Sequence, residues 1–212
     1  MKSIIFSTPM ICAILEGKKT QTRRVIKNAP KLDCRYDGIF YGKDGDGSYY
    51  LEYLHNGKPT EKYYSLGKPR YKVGDILWVR ETWHLEIDLE SDNFSYVYKA
   101  DGEDYSDCKL LSGKPFVWKP SIHMPREAAR LFLKITGVRV ERLQNISEAD
   151  CLNEGIYQMN VDVCYSWEKA KHCYLSPKSA FIALWNSINA KRGYPFDSGV
   201  WVWVYEFERV MG

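Results

Sequence analysis

The chain has 212 residues, 45% of them apolar and 27% charged, with a formal net charge of +3. This is the composition of a globular chain with material for one sizeable core, and it excludes a disordered or low-complexity protein. The charge is unevenly spread: residues 1–35 hold eight basic and two acidic residues, whereas residues 86–107 hold eight acids and one lysine. A basic N-terminal third points to an anionic partner, nucleic acid among them, and the acidic stretch to a solvated loop.

Ser3 to Phe6 predicts a short strand. Thr8-Pro9 predicts a helix start, with threonine as N-cap and proline at the first helical position. Met10, Ile11, Ile14 and Leu15 then repeat at helical spacing, and Gly17 stops the helix as a left-handed cap. Lys18 to Arg24 crowds two lysines, two threonines and two arginines into seven positions. Thr20, Thr22 and Val25 favour extended backbone, so a strand is expected to leave the Gly17 turn. The plainest reading of that run is a solvated basic edge strand.

Residues 27–70 predict a β-rich insertion with turns at Gly45 to Gly47 and at Asn56-Gly57. It has too little Ile, Leu and Val to hold a core of its own. Asp44-Gly45-Asp46-Gly47 resembles the opening of a calcium loop, but Tyr49 stands where such a loop needs glycine, so a hairpin turn is expected. Lys72 to Asp75 predicts a tight turn into a strand, Ile76 to Val79, apolar on both faces. Arg80-Glu81-Thr82-Trp83 suits a cleft rim. Residues 85–115 read as a second insertion, acidic and irregular. Trp118 to Arg126 is stiffened by Pro120 and Pro125 and presents His123 and Arg126, with one helical turn after Pro125. For His123 a hydrogen-bonded loop residue is the ordinary alternative.

Leu131 to Leu143 alternates as a strand, with a bulge expected at Gly137. Ser147-Glu148-Ala149-Asp150 starts a short helix that Gly155 ends. Glu154 then sits at a helix C-terminus, where the dipole disfavours a carboxylate and where enzymes place groups for acid/base work. Tyr157 to Tyr174 reads as a loop with helical character near Trp167. Residues 177–192 form the best-specified helix, with Phe181, Leu184, Trp185 and Ile188 on one face. Val200 to Val210 is a closing strand, Trp201, Trp203, Tyr205 and Phe207 against Val200, Val202 and Val204. The six cysteines form no Cys-x-x-Cys pair, so neither a metal site nor a cofactor is expected. No signal peptide and no membrane span is legible, which predicts reduced thiols in a cytoplasm. The element order predicts an α+β fold, one domain over 1–212, with a mixed sheet curled into a barrel.

Three segments, Lys19-Thr20-Gln21-Thr22-Arg23-Arg24, Val73 to Trp83 (VGDILWVRETW) and Pro120 to Arg126 (PSIHMPR), resemble the ASCH domain family of the PUA-like β-barrel superfamily. The likeness is to its long form from bacteriophages and prophages, which would place the protein in the cytoplasm of a bacterial host. The resemblance covers most of the chain and is thinnest over 27–70 and 85–115. It implies a cleft beside the barrel that receives RNA or a modified nucleoside. Small members of the family are amidohydrolases that remove the acetyl group of N4-acetylcytidine, and their lysine, threonine and glutamate match Lys19, Thr22 and Glu154. On that reading Thr22 attacks or holds water, Lys19 takes a proton or stabilises the oxyanion, and Glu154 protonates the leaving amine. On a binding-only reading Lys18, Lys19, Arg23 and Arg24 contact phosphates while Trp78, Trp83 or Trp118 stacks on a base, with His123 and Arg126 completing the interface. A ribonuclease could use the same basic-plus-carboxylate cleft. In a straight strand Lys19 and Thr22 point to opposite faces, so they converge only if the Gly17 turn extends through Lys19 or Thr20. The oligomeric state is not legible.

Overall fold

The computed structural model describes residues 1–27, 29–30, 38–88, 93–102, 105, 115–159, 164–167 and 172–211. In chain order the elements are β1 (Lys2–Ile5), α1 (Thr8–Leu15), β2 (Gln21–Val25), β3 (Gly38–Lys43), β4 (Tyr49–His55), β5 (Lys58–Gly67), β6 (Ile76–Arg80), β7 (Trp83–Asp88), β8 (Asn93–Tyr98), β9 (Phe132–Arg142), α2 (Glu148–Asn153), β10 (Tyr157–Gln158), β11 (Tyr165–Ser166), α3 (Pro177–Asn189) and β12 (Trp201–Val210).

The fold is α+β around a five-stranded sheet of order β1-β6-β9-β12-β2. β1 runs parallel to β6, and the other pairings are antiparallel. The sheet is mixed, as expected, but among the described residues it does not close into a barrel. No ladder joins its two outer strands, β1 and β2. A side chain bridges the gap instead: Arg24 Nη2 donates to the Ile5 carbonyl at 2.9 Å.

β12 lies between β9 and β2, and both its faces are apolar. Trp201, Trp203, Tyr205 and Phe207 join one core with Leu77, Val79, Leu133 and Ile135. Val202 and Val204 join a second with Leu143, Ile156 and the Phe181, Leu184 and Trp185 face of α3. The bulge falls at Gly137: Glu206 pairs with Gly137 and the next residue, Phe207, with Ile135. A Cβ at Gly137 would lie 2.5 Å from Glu206 Oε2, so a side chain there would displace the Glu206 carboxylate.

The first insertion is an antiparallel meander, β3-β4-β5. Its turns lie where glycine and asparagine put them, with Asn56 and Gly57 both at positive φ. Tyr49 and Leu51 of β4 enter the main core, and the Tyr49 ring meets Trp203 edge-on at 5.0 Å.

Several expectations need correction. Ser7, not Thr8, occupies the N-cap of α1, which moves Pro9 to the second helical position, still inside the turn whose N–H groups have no helical acceptor. β6 buries one face only: Leu77 and Val79 are inside, while Ile76 is exposed. The acidic insertion is not irregular throughout, because β7 and β8 pair as a hairpin from Trp83↔Tyr98 to Asp88↔Asn93. Just before Trp167, Tyr165 and Ser166 are extended and pair with Gln158 and Tyr157; the helical character expected around Trp167 otherwise falls on 168–171, outside the described residues. Cys164 and Cys173 are joined as a disulfide, where reduced thiols were expected. No helix among the described residues is long and apolar enough to cross a membrane.

Candidate functional site

The site is assembled where β2 leaves α1. Gly17 adopts φ +71, and the amides of Lys18 and Lys19 both donate to the Ala13 carbonyl, at 2.8 and 3.0 Å. The chain thus turns within three residues and presents Lys19 opposite Glu154 in an isolated antiparallel bridge. Thr20 N–H donates to the Asn153 carbonyl at 2.8 Å, fastening the run to the end of α2.

From there the side chains alternate. Lys19, Gln21 and Arg23 turn toward α2. Lys19 Nζ donates to Glu154 Oε2 and to the Glu154 carbonyl, each at 2.7 Å. The ammonium therefore answers both the carboxylate and the unsatisfied carbonyl of the helix C-terminus. Gln21 Nε2 donates to Asp150 Oδ1 at 2.9 Å. Arg23 reaches three carboxylates: Glu141 Oε1 at 2.7 Å, Asp150 Oδ2 at 2.9 Å and Glu154 Oε1 at 3.2 Å. Arg139 continues the network to Glu141, Asp150 and Glu206.

Lys19, Arg23 and Glu154 are all buried, with 2%, 4% and 5% of their surface exposed. Burial pulls the Lys19 pKa below its ordinary 10.5 despite the opposing pull of Glu154. Burial also acts to lower Arg23, but Glu154, Glu141 and Asp150 prevail and raise it. Desolvation acts to raise Asp150; the Gln21 hydrogen bond with Arg23 and Arg139 outweighs it and holds the carboxyl below the usual range.

Beside this network lies a cavity of about 580 Å³ between β2 and α3. Thr22, Arg24, Lys27 and Glu154 line it from one side, and Phe181, Leu184, Trp185, Arg192 and Tyr194 from the other. β2 is the last strand of the sheet, so residues of both its faces reach this space. Thr22 is buried, and its hydroxyl has no hydrogen-bond partner among the described residues. Lys19 does not line the cavity: its side chain is fully enclosed behind Glu154. The structure thus brings Lys19 to Glu154 and has both Thr22 and Glu154 line one cavity, while strand alternation turns Lys19 away from Thr22. Chemically the cavity offers a hydroxyl, a carboxylate held by two cations, and an aromatic and cationic surround.

No protein-family model, curated protein or solved structure matches this chain.

The other expected site residues separate. Lys18 is exposed, pairs with Glu16 at 2.6 Å and sits 4.8 Å from the Tyr157 ring centre, outside the cavity. Arg23 also borders the cavity, but its guanidinium is enclosed and committed to three carboxylates. Arg24 is exposed and lines the cavity. Trp83 is buried with Met124 and Ala128, Trp118 packs edge-on to Phe116 and Tyr105, and Trp78 lies under the Arg80 guanidinium. His123 and Arg126 are exposed on the loop before β9. None of these five lines the cavity, because β6, the start of β7 and the 115–130 segment carry them elsewhere. Sequence reasoning missed Gln21, Glu141, Asp150 and Arg139 as the frame of the site. It read Phe181 and Trp185 only as helix core. The alternation of Lys19, Gln21 and Arg23 was the signal for the inward set; their acidic partners come from β9 and α2 and leave no local pattern. Among the described residues no group of His, Cys, Asp or Glu is arranged to hold a metal.

Proposed function

We propose that the chain is an ASCH-type, PUA-like protein that binds RNA or a modified nucleoside, with one base inserted in the cavity between β2 and α3. The observation that supports this is the cavity itself. At about 580 Å³ it falls in the size range of small-molecule sites, and aromatic rings line one wall while Arg24, Lys27 and Arg192 surround it. A flat, partly polar ring attached to an anionic backbone suits that surround better than an apolar ligand does. The test is titration with cytidine, N4-acetylcytidine and single-stranded RNA, read by tryptophan fluorescence. Arg192→Ala, an exposed change, is expected to weaken binding. No binding of any nucleoside or RNA at low salt would overturn the proposal.

A second reading, amide hydrolysis on an acylated cytidine, is favoured by Thr22 and Glu154 lining one cavity. Thr22 Oγ1, or a water it holds, attacks the acyl carbon. Glu154 takes the proton and returns it to the departing amine, and water completes release of the acid. Lys19, enclosed behind Glu154, positions and balances that carboxylate and does not touch the substrate. The test follows acetate release from N4-acetylcytidine. Turnover lost in Thr22→Val supports the chemistry. Wild-type turnover no higher than that of Thr22→Val leaves binding alone.

A further inference from the structure

A second cavity of about 560 Å³ lies on the other side of β2, in the seam where the sheet fails to close. Ser3, Ile4 and Ile5 of β1 form one bank and Arg24 and Val25 of β2 the other, with Tyr71, Trp203 and Tyr205 beneath. Five cations line it: Arg24, Lys27, Lys68, Arg70 and Arg80. No acidic residue does.

Their partners are neutral. Arg24 donates to the Ile5 carbonyl and Arg80 to the Met124 carbonyl. The Arg70 guanidinium sits 5.4 Å from the Tyr71 ring centre. Only Lys68 meets a carboxylate, the exposed Asp46 at 3.2 Å. Among the described residues, Arg24, Lys27, Arg70 and Arg80 form no ion pair. This is the reverse of the network on the α2 side, where every cation is matched by carboxylates. Four unmatched cations facing one hollow repel one another, and an anion between them removes that repulsion. Arg24, Val25 and Lys27 line both cavities, so the two spaces flank β2, the last strand of the sheet among the described residues.

We propose that this seam is a phosphate subsite, holding the backbone of a single-stranded nucleic acid whose base enters the cavity beside α3. The proposal rests on the reading above and deepens it: the ligand is a strand, not a free nucleoside. Arg24 and Lys27 stand at the junction between base and backbone, and the meander insertion contributes Lys68 and Arg70.

The experiment uses a fluorescein-labelled cytidine hexaribonucleotide, with cytidine and N4-acetylcytidine as backbone-free probes, across 50–300 mM salt. The variant is Lys68→Ala with Arg70→Ala; both side chains are exposed, and the main-chain bond from Arg70 N–H to the Tyr205 hydroxyl is untouched. Each lost phosphate contact is expected to lower the slope of log affinity against log salt by about 0.7, which is about fivefold in affinity at 0.1 M, or roughly 25-fold for the pair. Nucleoside binding should not change. A hexamer affinity and slope equal to wild type would overturn the subsite while leaving the base cavity standing. Absence of nucleoside binding as well as hexamer binding would remove the base cavity first, and the subsite with it. Heparin that binds as tightly as the hexamer, with an equal slope, would overturn the assignment to nucleic acid.

Discussion

Replacing Glu154 with glutamine keeps the side-chain shape and removes one buried charge. Lys19, with no exposed side-chain surface, would then be held only by the Glu154 main-chain carbonyl and an amide oxygen. Breaking a buried pair from one side costs about 3–5 kcal/mol. The lower end applies, because burial already depresses the Lys19 pKa and the amine can lose its proton. Arg23 keeps Glu141 and Asp150. A loss of about 3 kcal/mol in a chain of this size lowers Tm by roughly 6–12 °C. Lys19→Met should cost less, since Glu154 retains Arg23 at 3.2 Å. The double variant should be more stable than the two losses added together, by about 2 kcal/mol or more. The pH dependence has a definite sign. Between the depressed folded pKa of Lys19 and 10.5 the unfolded chain binds more protons, so stability rises with pH. In Glu154→Gln that window extends to lower pH, and the deficit shrinks on alkalinisation. Urea denaturation of the four proteins across pH measures all of this. A Glu154→Gln variant within 0.5 kcal/mol of wild type, or strict additivity of the two changes, would refute the account of Lys19 and Glu154 as an enclosed pair.

Adjacent arginines should separate by phenotype: Arg23→Ala removes the cation shared by three carboxylates, leaving Glu154 to Lys19 and Glu141 and Asp150 to Arg139, and lowers the urea midpoint, whereas Arg24→Ala leaves folding nearly intact and weakens hexamer binding. Gly155 has φ +99, and a Cβ there would lie 3.1 Å from that of Ala13 and 3.4 Å from that of Lys19; Gly155→Ala is expected to cost about 1–3 kcal/mol in thermal unfolding. Arg130 grips the buried Glu81 with two bonds of 3.0 Å. Arg130→Ala should therefore cost about 3–5 kcal/mol. Burial already holds Glu81 above its usual 4.5, so that deficit should narrow as pH falls toward 4.5, where the native state takes up a proton. Asp150 is held below 3.8, so it contributes stability above that value that is lost as pH falls through its folded pKa; Asp150→Asn should flatten this part of the acid-unfolding curve.

What was legible in the sequence was whatever a local pattern encodes. Gly17 and Gly155, at φ +71 and +99, end their helices where glycine was expected to. The double-sided apolar run of β12 and the capped helix α3 follow from periodicity alone, and the Gly137 bulge from a glycine inside an alternating strand. The meeting of Lys19 with Glu154 across 135 positions came from the resemblance, not from spacing. The β7–β8 hairpin was missed because acidic residues mask a Phe94-Ser95-Tyr96-Val97-Tyr98 alternation that is strand-like once the charges are set aside. The tryptophans at 78, 83 and 118 lie away from the cavity, and the sequence carried no sign of it for a related reason. An aromatic beside a charge is as common in a packed loop as in a binding face, and only tertiary placement separates the two.

The Lys18 to Arg24 run illustrates why a count of basic residues says little about a partner. Because strand side chains alternate, one sequence supplies two opposite electrostatic surfaces. The inward set, Lys19, Gln21 and Arg23, meets Glu141, Asp150 and Glu154, acids that match or exceed its charge. Those cations fix the geometry of a carboxylate and contribute little long-range field. The outward Arg24 stands with cations drawn from three other places, Lys27, the end of the meander and the end of β6, none matched except by one exposed aspartate. A ligand approaching the edge of β2 therefore meets unmatched cations on the seam side and, beside α3, a compensated carboxylate within a cationic rim. In the binding mode proposed above, that asymmetry would orient a strand, backbone toward the seam and base toward the cavity beside α3, before any specific contact forms.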